Sequence, residues 1–157
     1  MPPAYDYIKD PEAIYALSFA RVREAVPKLQ TMESGLAQLA GRIIHASAMP
    51  DVMDDLVWSD HIVPHAVAAL QKGAPILCDC QMVASGITKT FLAAENPVVV
   101  TLNDAAIREE AATLGTTRSA AAVNHWLPHL EGAIAVFGNA PTALFHLLEG
   151  LDKDWPK

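Results

Sequence analysis

The sequence predicts an α/β fold, in which a three-layer, mainly parallel open sheet has flanking helices and N-terminal helices before the first strand. Two observations predict it. Three short apolar runs have the composition of buried strands. Each run leads toward a helical stretch of about ten residues, and this alternation indicates βαβ units. The three predicted strands are Ala74–Cys78, Val98–Leu102 and Ala133–Phe137.

Two helices are predicted well ahead of the first strand. Pro11–Val26 has a loose apolar stripe, and Pro27 ends it. The second helix runs up to Pro50, and its apolar residues follow the i, i+3, i+4, i+7, i+8 spacing of one buried face. These residues are Leu36, Leu39, Ala40, Ile43 and Ile44. His45 follows Ile44, about 100° round the helix, so we expect it on the shoulder of the buried stripe.

The remaining helices are predicted from their end signals. One helix precedes the first strand, and Gly73 forms its C-cap. Three others follow the strands, and two of them end at Gly115 and Gly150. The predicted ranges are Pro64–Lys72, Asp104–Leu114, Ser119–Trp126 and Pro141–Glu149.

Composition narrows the class of protein. The chain has 157 residues, 52% of them hydrophobic, which predicts a single domain over residues 1–157. A net charge of −7 without a Lys/Arg cluster argues against nucleic acid as a partner. No run approaches the roughly 18 apolar residues of a membrane span. Cys78 and Cys80 are too close together for a disulfide framework, which favours a reducing, cytoplasmic location.

In an open parallel sheet, ligands bind outside the carboxyl ends of the strands. Three polar clusters follow the predicted strands: 79–82, 103–104 and 138–142. In the last cluster Gly138 allows close approach, and the helix start at Pro141 offers free N–H groups to an anion or a carbonyl. Hydroxyls and the Arg118 guanidinium at 116–119 suit a carboxylate. The alternative is that both clusters are ordinary helix caps with one solvated arginine.

Several other chemistries lack their motifs. The chain contains no G-x-G-x-x-G fingerprint, no P-loop and no G-x-S-x-G elbow. The pairs His61/His65 and His125/His129 have the spacing of metal ligands on a helix, but each pair encloses a proline, so we predict surface or capping roles. Cys78-x-Cys80 lacks the spacing of redox and zinc sites, which favours buried packing.

Taken together, the motifs resemble the precorrin-8X methylmutase family, also called cobalt-precorrin-8 methylmutase in the anaerobic route. The resemblance is carried by Tyr5-Asp6-Tyr7-Ile8, Ile14-Tyr15, Ser18-Phe19, Ile44-His45-Ala46, Gly73-Ala74-Pro75-Ile76-Leu77-Cys78-Asp79, Met82-Val83-Ala84-x-Gly86-Ile87-Thr88, Thr117-Arg118-Ser119-Ala120-Ala121-Ala122 and Gly138-Asn139-Ala140-Pro141-Thr142-Ala143-Leu144. The last two strings, in this order, are specific.

The resemblance implies an isomerase that moves a methyl group from C11 to C12 of precorrin-8x or cobalt-precorrin-8, giving hydrogenobyrinic or cobyrinic acid. It implies a homodimer that needs no organic cofactor and no protein-bound metal. The catalytic histidine of the family falls on His45, as proton or hydrogen-bond donor to the macrocycle. The residues that it places in contact with the polycarboxylate substrate are Thr117, Arg118, Ser119, Asn139, Thr142, Asp79, Met82, Gly86 and Thr88.

The resemblance also implies a C-terminally shortened chain. Members of the family usually continue past the position of Trp155 with further strands, so we expect a sheet with an open edge. This leaves an alternative function: a non-catalytic or inactive homologue that only binds a polycarboxylate tetrapyrrole.

Overall fold

The structure is a computed structural model, and it describes residues 5–156. The chain divides into two compact units, Met1–Val63 and Pro64–Lys157. The single domain over residues 1–157 stays a prediction. Within the described residues, no helix is both long enough and apolar enough to span a bilayer.

Helices build the first unit. They are α1 (Pro11–Ala25), α2 (Ser34–Ser47) and α3 (Val52–Asp55), with a 3-10 turn at Pro27–Gln30. The Asp10 carboxylate caps α1 by accepting from the N–H of Ala13 at 2.7 Å, and the Glu33 carboxylate caps α2. The apolar stripes of both helices share one core, made of Val22, Val26, Leu29, Ala40, Ile44 and Met53.

The sheet belongs to the second unit. In chain order the elements are α4 (Ile62–Gln71), β1 (Ile76–Cys78), α5 (Gln81–Gly86), β2 (Val98–Val99), α6 (Ile107–Leu114), α7 (Arg118–Asn124), β3 (Ile134–Val136) and α8 (Pro141–Lys153), with 3-10 turns at Lys89–Phe91 and Leu127–His129. The strand order is β2-β1-β3 and all pairs are parallel. Ile76 aligns with Val98 on one side and with Ile134 on the other.

Alternate side chains of the central strand enter two separate cores. Leu77 packs into one core with residues of α7, α8 and the turn between α7 and β3, namely Val123, Trp126, Leu130, Ala143 and Leu147. Ile76 and Cys78 pack on the other face, against Ala84 of α5. The predicted fold class is therefore confirmed: a parallel sheet lies between helical layers, and helices precede its first strand.

One predicted strand is much shorter than expected. Val98–Leu102 has the strongest strand composition, yet β2 contains only Val98 and Val99. Two causes lie in its surroundings. β2 is an edge strand that pairs with β1 at two positions, and the Thr101 hydroxyl donates to the carbonyl of Ala122 at 2.7 Å. The chain therefore leaves the sheet for α7 soon after Val99.

Several helix ends also differ from the predictions. α2 ends at Ser47, before Pro50, because Ala48 adopts a left-handed backbone with φ of 55°. α6 begins at Ile107 rather than Asp104. α8 continues through Gly150 to Lys153, and the Trp155 ring lies against Gly150 where a β-carbon would stand. That glycine provides space for the ring and does not end the helix.

Candidate functional site

His45 lies in the last turn of α2, on the exposed side of the core that contains Ile44. Its Nδ1 atom is 2.8 Å from the Ser18 hydroxyl of α1. The Phe19 ring stacks on the imidazole, with centroids 4.8 Å apart and planes 20° apart. A hydrogen bond and a stacked ring therefore fix the orientation of an exposed side chain.

The other ring nitrogen of His45 is left available. Among residues 5–156, Ser18 is the one hydrogen-bond partner of this ring, so Nε2 bonds to no described residue. A hydroxyl both donates and accepts, so Ser18 can bond Nδ1 with or without a proton there. The arrangement suits an imidazole that holds or releases a proton at Nε2.

Asp79 organises the carboxyl edge of the sheet. It follows β1 directly, is buried at 3% exposure, and reaches the loop that joins β3 to α8. Its carboxylate accepts three backbone N–H groups: Gly138 at 3.2 Å, Asn139 at 2.9 Å and Ala140 at 2.9 Å. Burial disfavours the charged carboxylate, but the N–H donors outweigh it and hold the pKa of Asp79 below its usual range.

This arrangement changes how the helix start at residues 139–142 can be used. The sequence predicts that its free N–H groups bind an anion, yet those of Asn139 and Ala140 already donate to Asp79. The chain therefore places its own carboxylate at this helix N-terminus. What remains for a ligand are the exposed side chains of Asn139 and Thr142.

The starts of α7 and α8 meet beside Asp79. The Thr117 hydroxyl caps α7 by accepting from the N–H of Ala120 at 3.1 Å, and it lies 2.9 Å from the Thr142 hydroxyl of α8. The exposed Arg118 guanidinium donates to the carbonyl of Leu102, just beyond β2, at 3.1 Å. Segments that follow all three strands therefore converge at one edge, as the sequence predicts.

Other predicted contact residues lie on or beside α5. Met82 is 67% exposed, and Gly86 and Thr88 are also exposed. A groove of about 440 Å³ lies beside Gly86 and Thr88, and it is lined by their chain neighbours Ser85, Ile87 and Lys89. The other residues that line it are Gln81, Ala84, Val98 and Val100. No hydrogen bond among the described residues joins Met82, Gly86 or Thr88 to Asp79 or Arg118. Ser119 is half-buried in the first turn of α7.

The two cysteines are buried and free, which confirms their predicted packing role. Burial, and after it the neighbouring Asp79 and Cys80, raise the pKa of the Cys78 thiol, so Cys78 is a poor nucleophile. Sequence reasoning assigned no role to Ser18 or Phe19. Both residues lie on α1, one turn beyond Tyr15. Their contacts with His45 depend on how α1 packs on α2, which no periodicity in the sequence predicts.

Comparisons with known proteins agree in pointing to one family. The family model CbiC, precorrin-8X methylmutase, matches residues 13–157. The chain is similar to the precorrin-8X methylmutase of Pseudomonas aeruginosa, with 52% identity over 97% of this chain and 73% of that protein. It is 47% identical to the Sinorhizobium enzyme of the same name, over 99% of this chain and 73% of the relative.

More distant relatives agree. The cobalt-precorrin-8 methylmutase of Salmonella typhimurium is 36% identical over 91% of this chain and 71% of its own length. A solved precorrin-8x methylmutase from Thermus thermophilus superimposes with a TM-score of 0.77 at 32% identity, covering 92% of this chain and 71% of that one.

Proposed function

The chain belongs to the precorrin-8X methylmutase family, an isomerase family of cobalamin biosynthesis, and we propose that it moves a methyl group from C11 to C12 of a corrin precursor. The substrate proposed first is precorrin-8x, which gives hydrogenobyrinic acid. Relatives with 52% and 47% identity carry that name, whereas the cobalt-precorrin-8 relative is 36% identical. Cobalt-precorrin-8 is the second substrate to test.

The reaction is an intramolecular rearrangement. The bond between C11 and the methyl carbon breaks while a bond from that carbon to C12 forms, in a 1,5-sigmatropic shift. Substrate and product are isomers, so the electron count is unchanged and no oxidant or reductant takes part. The protein has to hold the macrocycle in a reactive geometry and make its carbon framework electron-poor.

We assign the second task to His45. Donation from Nε2 to a ring nitrogen draws electron density out of the carbon framework and favours migration. The observation that supports this role is the Ser18 hydroxyl 2.8 Å from Nδ1, because it orients the ring while Nε2 stays available. Ser18 donates to Nδ1 when the imidazole is neutral with its proton on Nε2, and accepts from Nδ1–H when the ring is cationic.

We assign the first task to groups that bind the acetate and propionate carboxylates. The Arg118 guanidinium suits a carboxylate because it offers a planar pair of donors. The donors proposed beside it are the side chains of Thr117, Ser119, Asn139 and Thr142. We propose that part of the pocket wall is formed by Met82, Gly86 and Thr88. Asp79 is proposed to act indirectly, by holding the loop that carries Asn139.

The experiment that tests this function compares two histidine variants. His45→Gln keeps a hydrogen-bond donor of similar size but cannot carry an ionisable proton. We expect it to lower kcat about 10²- to 10⁴-fold, the usual contribution of a general acid. His129→Gln is the matched control, because His129 is exposed in a 3-10 turn. Turnover of precorrin-8x is followed by the change in visible absorption as the ring conjugation changes.

Three outcomes separate the hypotheses. Full activity in His45→Gln removes the role assigned to His45. Binding of hydrogenobyrinic acid without any turnover supports the alternative, a homologue that only binds a polycarboxylate tetrapyrrole. No turnover and no binding of either corrinoid contradict both. A homodimer in the cytoplasm is proposed with the function, and sedimentation of the wild type at assay concentration tests the dimer.

A further inference from the structure

A hydrogen-bond network joins three helices of the second unit, and its residues have no role in the proposal above. The Asn124 amide of α7 donates from Nδ2 to the Glu110 carboxylate of α6 at 2.9 Å. The amide oxygen of Asn124 lies 2.7 Å from Nε2 of His146 on α8. The second carboxylate oxygen of Glu110 lies 2.6 Å from Nε2 of His125. All four side chains are half-buried.

The Glu110 carboxylate sets the direction of every bond in this network. An ionised carboxylate only accepts hydrogen bonds. The bonds from Asn124 and, after it, from His125 hold the pKa of Glu110 below its usual range. Asn124 therefore presents its NH₂ group to Glu110 and its oxygen to His146. It follows that His146 donates from Nε2, so the bonds run from α8 through α7 to α6.

The network gives α7 a second attachment to α8. The first attachment is at its start, where the Thr117 hydroxyl lies 2.9 Å from that of Thr142. The second is at its last residue, Asn124, through His146. A rise of 1.5 Å per residue puts the two attachments roughly 10 Å apart along α7 and roughly 6 Å apart along α8. One bond alone leaves a pivot between two helices, whereas two separated bonds fix their crossing angle.

Apolar packing leaves part of this task to the polar groups. Few side-chain atoms meet between α6 and α7, because three of the four buried residues in that core are alanines, and dispersion contacts that hold two helices in register grow with the number of touching atoms. The four residues are Ile107, Ala111, Ala121 and Ala122. The bond from Asn124 to Glu110 therefore has a large share in fixing where the end of α7 lies.

We propose that Asn124 is a positioning residue: Glu110 orients its amide, the amide holds α8 through His146, and the crossing angle so fixed sets where Arg118 lies relative to Thr142. The inference rests on the proposed function, in which Arg118 and Thr142 bind carboxylates of the substrate. Asn124 itself touches no substrate. It acts through the spacing of two donors, and donors held at the right spacing bind two carboxylates of one rigid macrocycle at once.

The test exchanges the amide and the carboxylate in the full chain. Asn124→Asp sets two carboxylates against each other, and we expect the Kd of hydrogenobyrinic acid, measured by titration calorimetry, to rise about tenfold. Adding Glu110→Gln again opposes an amide to a carboxylate, so the double variant should bind within about twofold of the wild type. The matched control is Asn124→Asp with Glu109→Gln. It removes the same charge at the exposed neighbour of Glu110 and should not restore binding.

A cycle with Arg118 separates positioning from folding. In an Arg118→Gln background the effect of Asn124→Asp on Kd should shrink to about twofold or less, because no guanidinium is left to misplace. Circular dichroism checks that every variant folds. If Asn124→Asp does not fold, His146→Leu takes its place in the cycle, since it breaks the network at α8. An undiminished effect without Arg118, or an exchanged pair that binds no better than Asn124→Asp, overturns the proposal.

Failure of the proposed function is recognised separately. If the wild type neither binds nor converts any corrinoid, amide hydrogen exchange decides the positioning without a ligand. The Ala120 N–H bonds to the Thr117 hydroxyl at the start of α7, and the Ile76 N–H bonds to the Pro97 carbonyl in the sheet. In Asn124→Asp, exchange should be about tenfold faster at Ala120 and change less than about twofold at Ile76. Equal acceleration at both N–H groups, which indicates global destabilisation, or no change at Ala120 overturns the proposal.

Discussion

His45 in the first unit and Asp79 in the second are both polar side chains with a proposed role, and they are held in opposite ways. His45 is exposed and, within the part of the chain that the structure describes, has one hydrogen bond, between its Nδ1 atom and the Ser18 hydroxyl of another helix. Asp79 is buried, and its carboxylate accepts three backbone N–H groups from one loop. His45 therefore keeps its Nε2 atom available for a ligand, whereas the carboxylate oxygens of Asp79 are occupied by hydrogen bonds.

This difference separates a residue that acts on a ligand from one that shapes the protein. A buried charge is tolerated when its hydrogen bonds replace those of water, and removing it leaves donors without a partner. An exposed imidazole contributes little to folding, so its orientation by Ser18 and Phe19 has a more direct explanation in chemistry. We therefore expect substitutions of Asp79 to lower stability first, and substitutions around His45 to lower turnover first.

The largest effect on stability is expected for Asp79→Ala. It leaves the N–H groups of Gly138, Asn139 and Ala140 without their acceptor, and it empties a buried position. We expect the free energy of unfolding to fall by about 2–4 kcal/mol, measured by urea denaturation. Asp152→Ala, at an exposed position of α8, is the control and should change it by less than about 0.5 kcal/mol.

If Asp79→Ala unfolded at the same urea concentration as the wild type, the expected role of Asp79 in stability would be wrong. In that case the loop from Gly138 to Ala140 would keep its conformation without the carboxylate, and Asp79 would be available for a direct contact with the substrate. Asp79→Asn sharpens the result, because the amide keeps the volume and one acceptor oxygen. We expect it to cost less than Asp79→Ala in the same measurement.

Ser18→Ala is expected to have the reverse profile. Loss of the hydroxyl frees the His45 ring to rotate, which should lower kcat on precorrin-8x about tenfold, with KM changed less. The free energy of unfolding should change by less than about 1 kcal/mol, because the hydrogen bond is at the surface. Ser47→Ala is the matched control, since its hydroxyl near the same helix end bonds to the carbonyl of Ile43.

Rescue decides between orientation and simple packing. A Ser18→Thr variant keeps the hydroxyl, and it should recover most of the turnover that Ser18→Ala loses. Wild-type turnover in Ser18→Ala would show that the bond to Nδ1 is not used, and the contrast with Asp79 would then rest on exposure alone.

Much of this arrangement follows from local patterns. The apolar stripe of α2 places His45 beside Ile44 on the shoulder of the core, as the helical period requires. The alternation of strands and helices also brings 79, 102 and 138–142 to one sheet edge, because carboxyl ends of parallel strands share an edge.

What the patterns could not predict depends on partners distant in sequence. Asp79 and Asn139 are 60 positions apart. No local pattern indicates that the Asp79 carboxylate accepts from the Asn139 N–H just before α8. The length of β2 likewise depends on its edge position and on the Thr101 bond to α7, not on its β-branched composition. Ser18 meets His45 only because α1 and α2 pack at one register.

The smallest effect is a pH dependence of stability that arises from the buried Asp79 carboxylate. The folded protein holds the pKa of Asp79 below its ordinary value. The stability gained is therefore present above the unfolded pKa, about 3.9, and is lost as pH falls through the folded pKa. The difference in unfolding free energy between wild type and Asp79→Asn should shrink between about pH 5 and pH 3.

Urea denaturation at half-unit pH steps measures this difference, with Asp152→Asn as the control at an exposed carboxylate. For that control we expect a small difference that changes little with pH. A wild-type advantage over Asp79→Asn that stays constant down to pH 3 would mean that the buried carboxylate stabilises the loop through shape rather than charge. The contrast with His45 would then be one of burial alone.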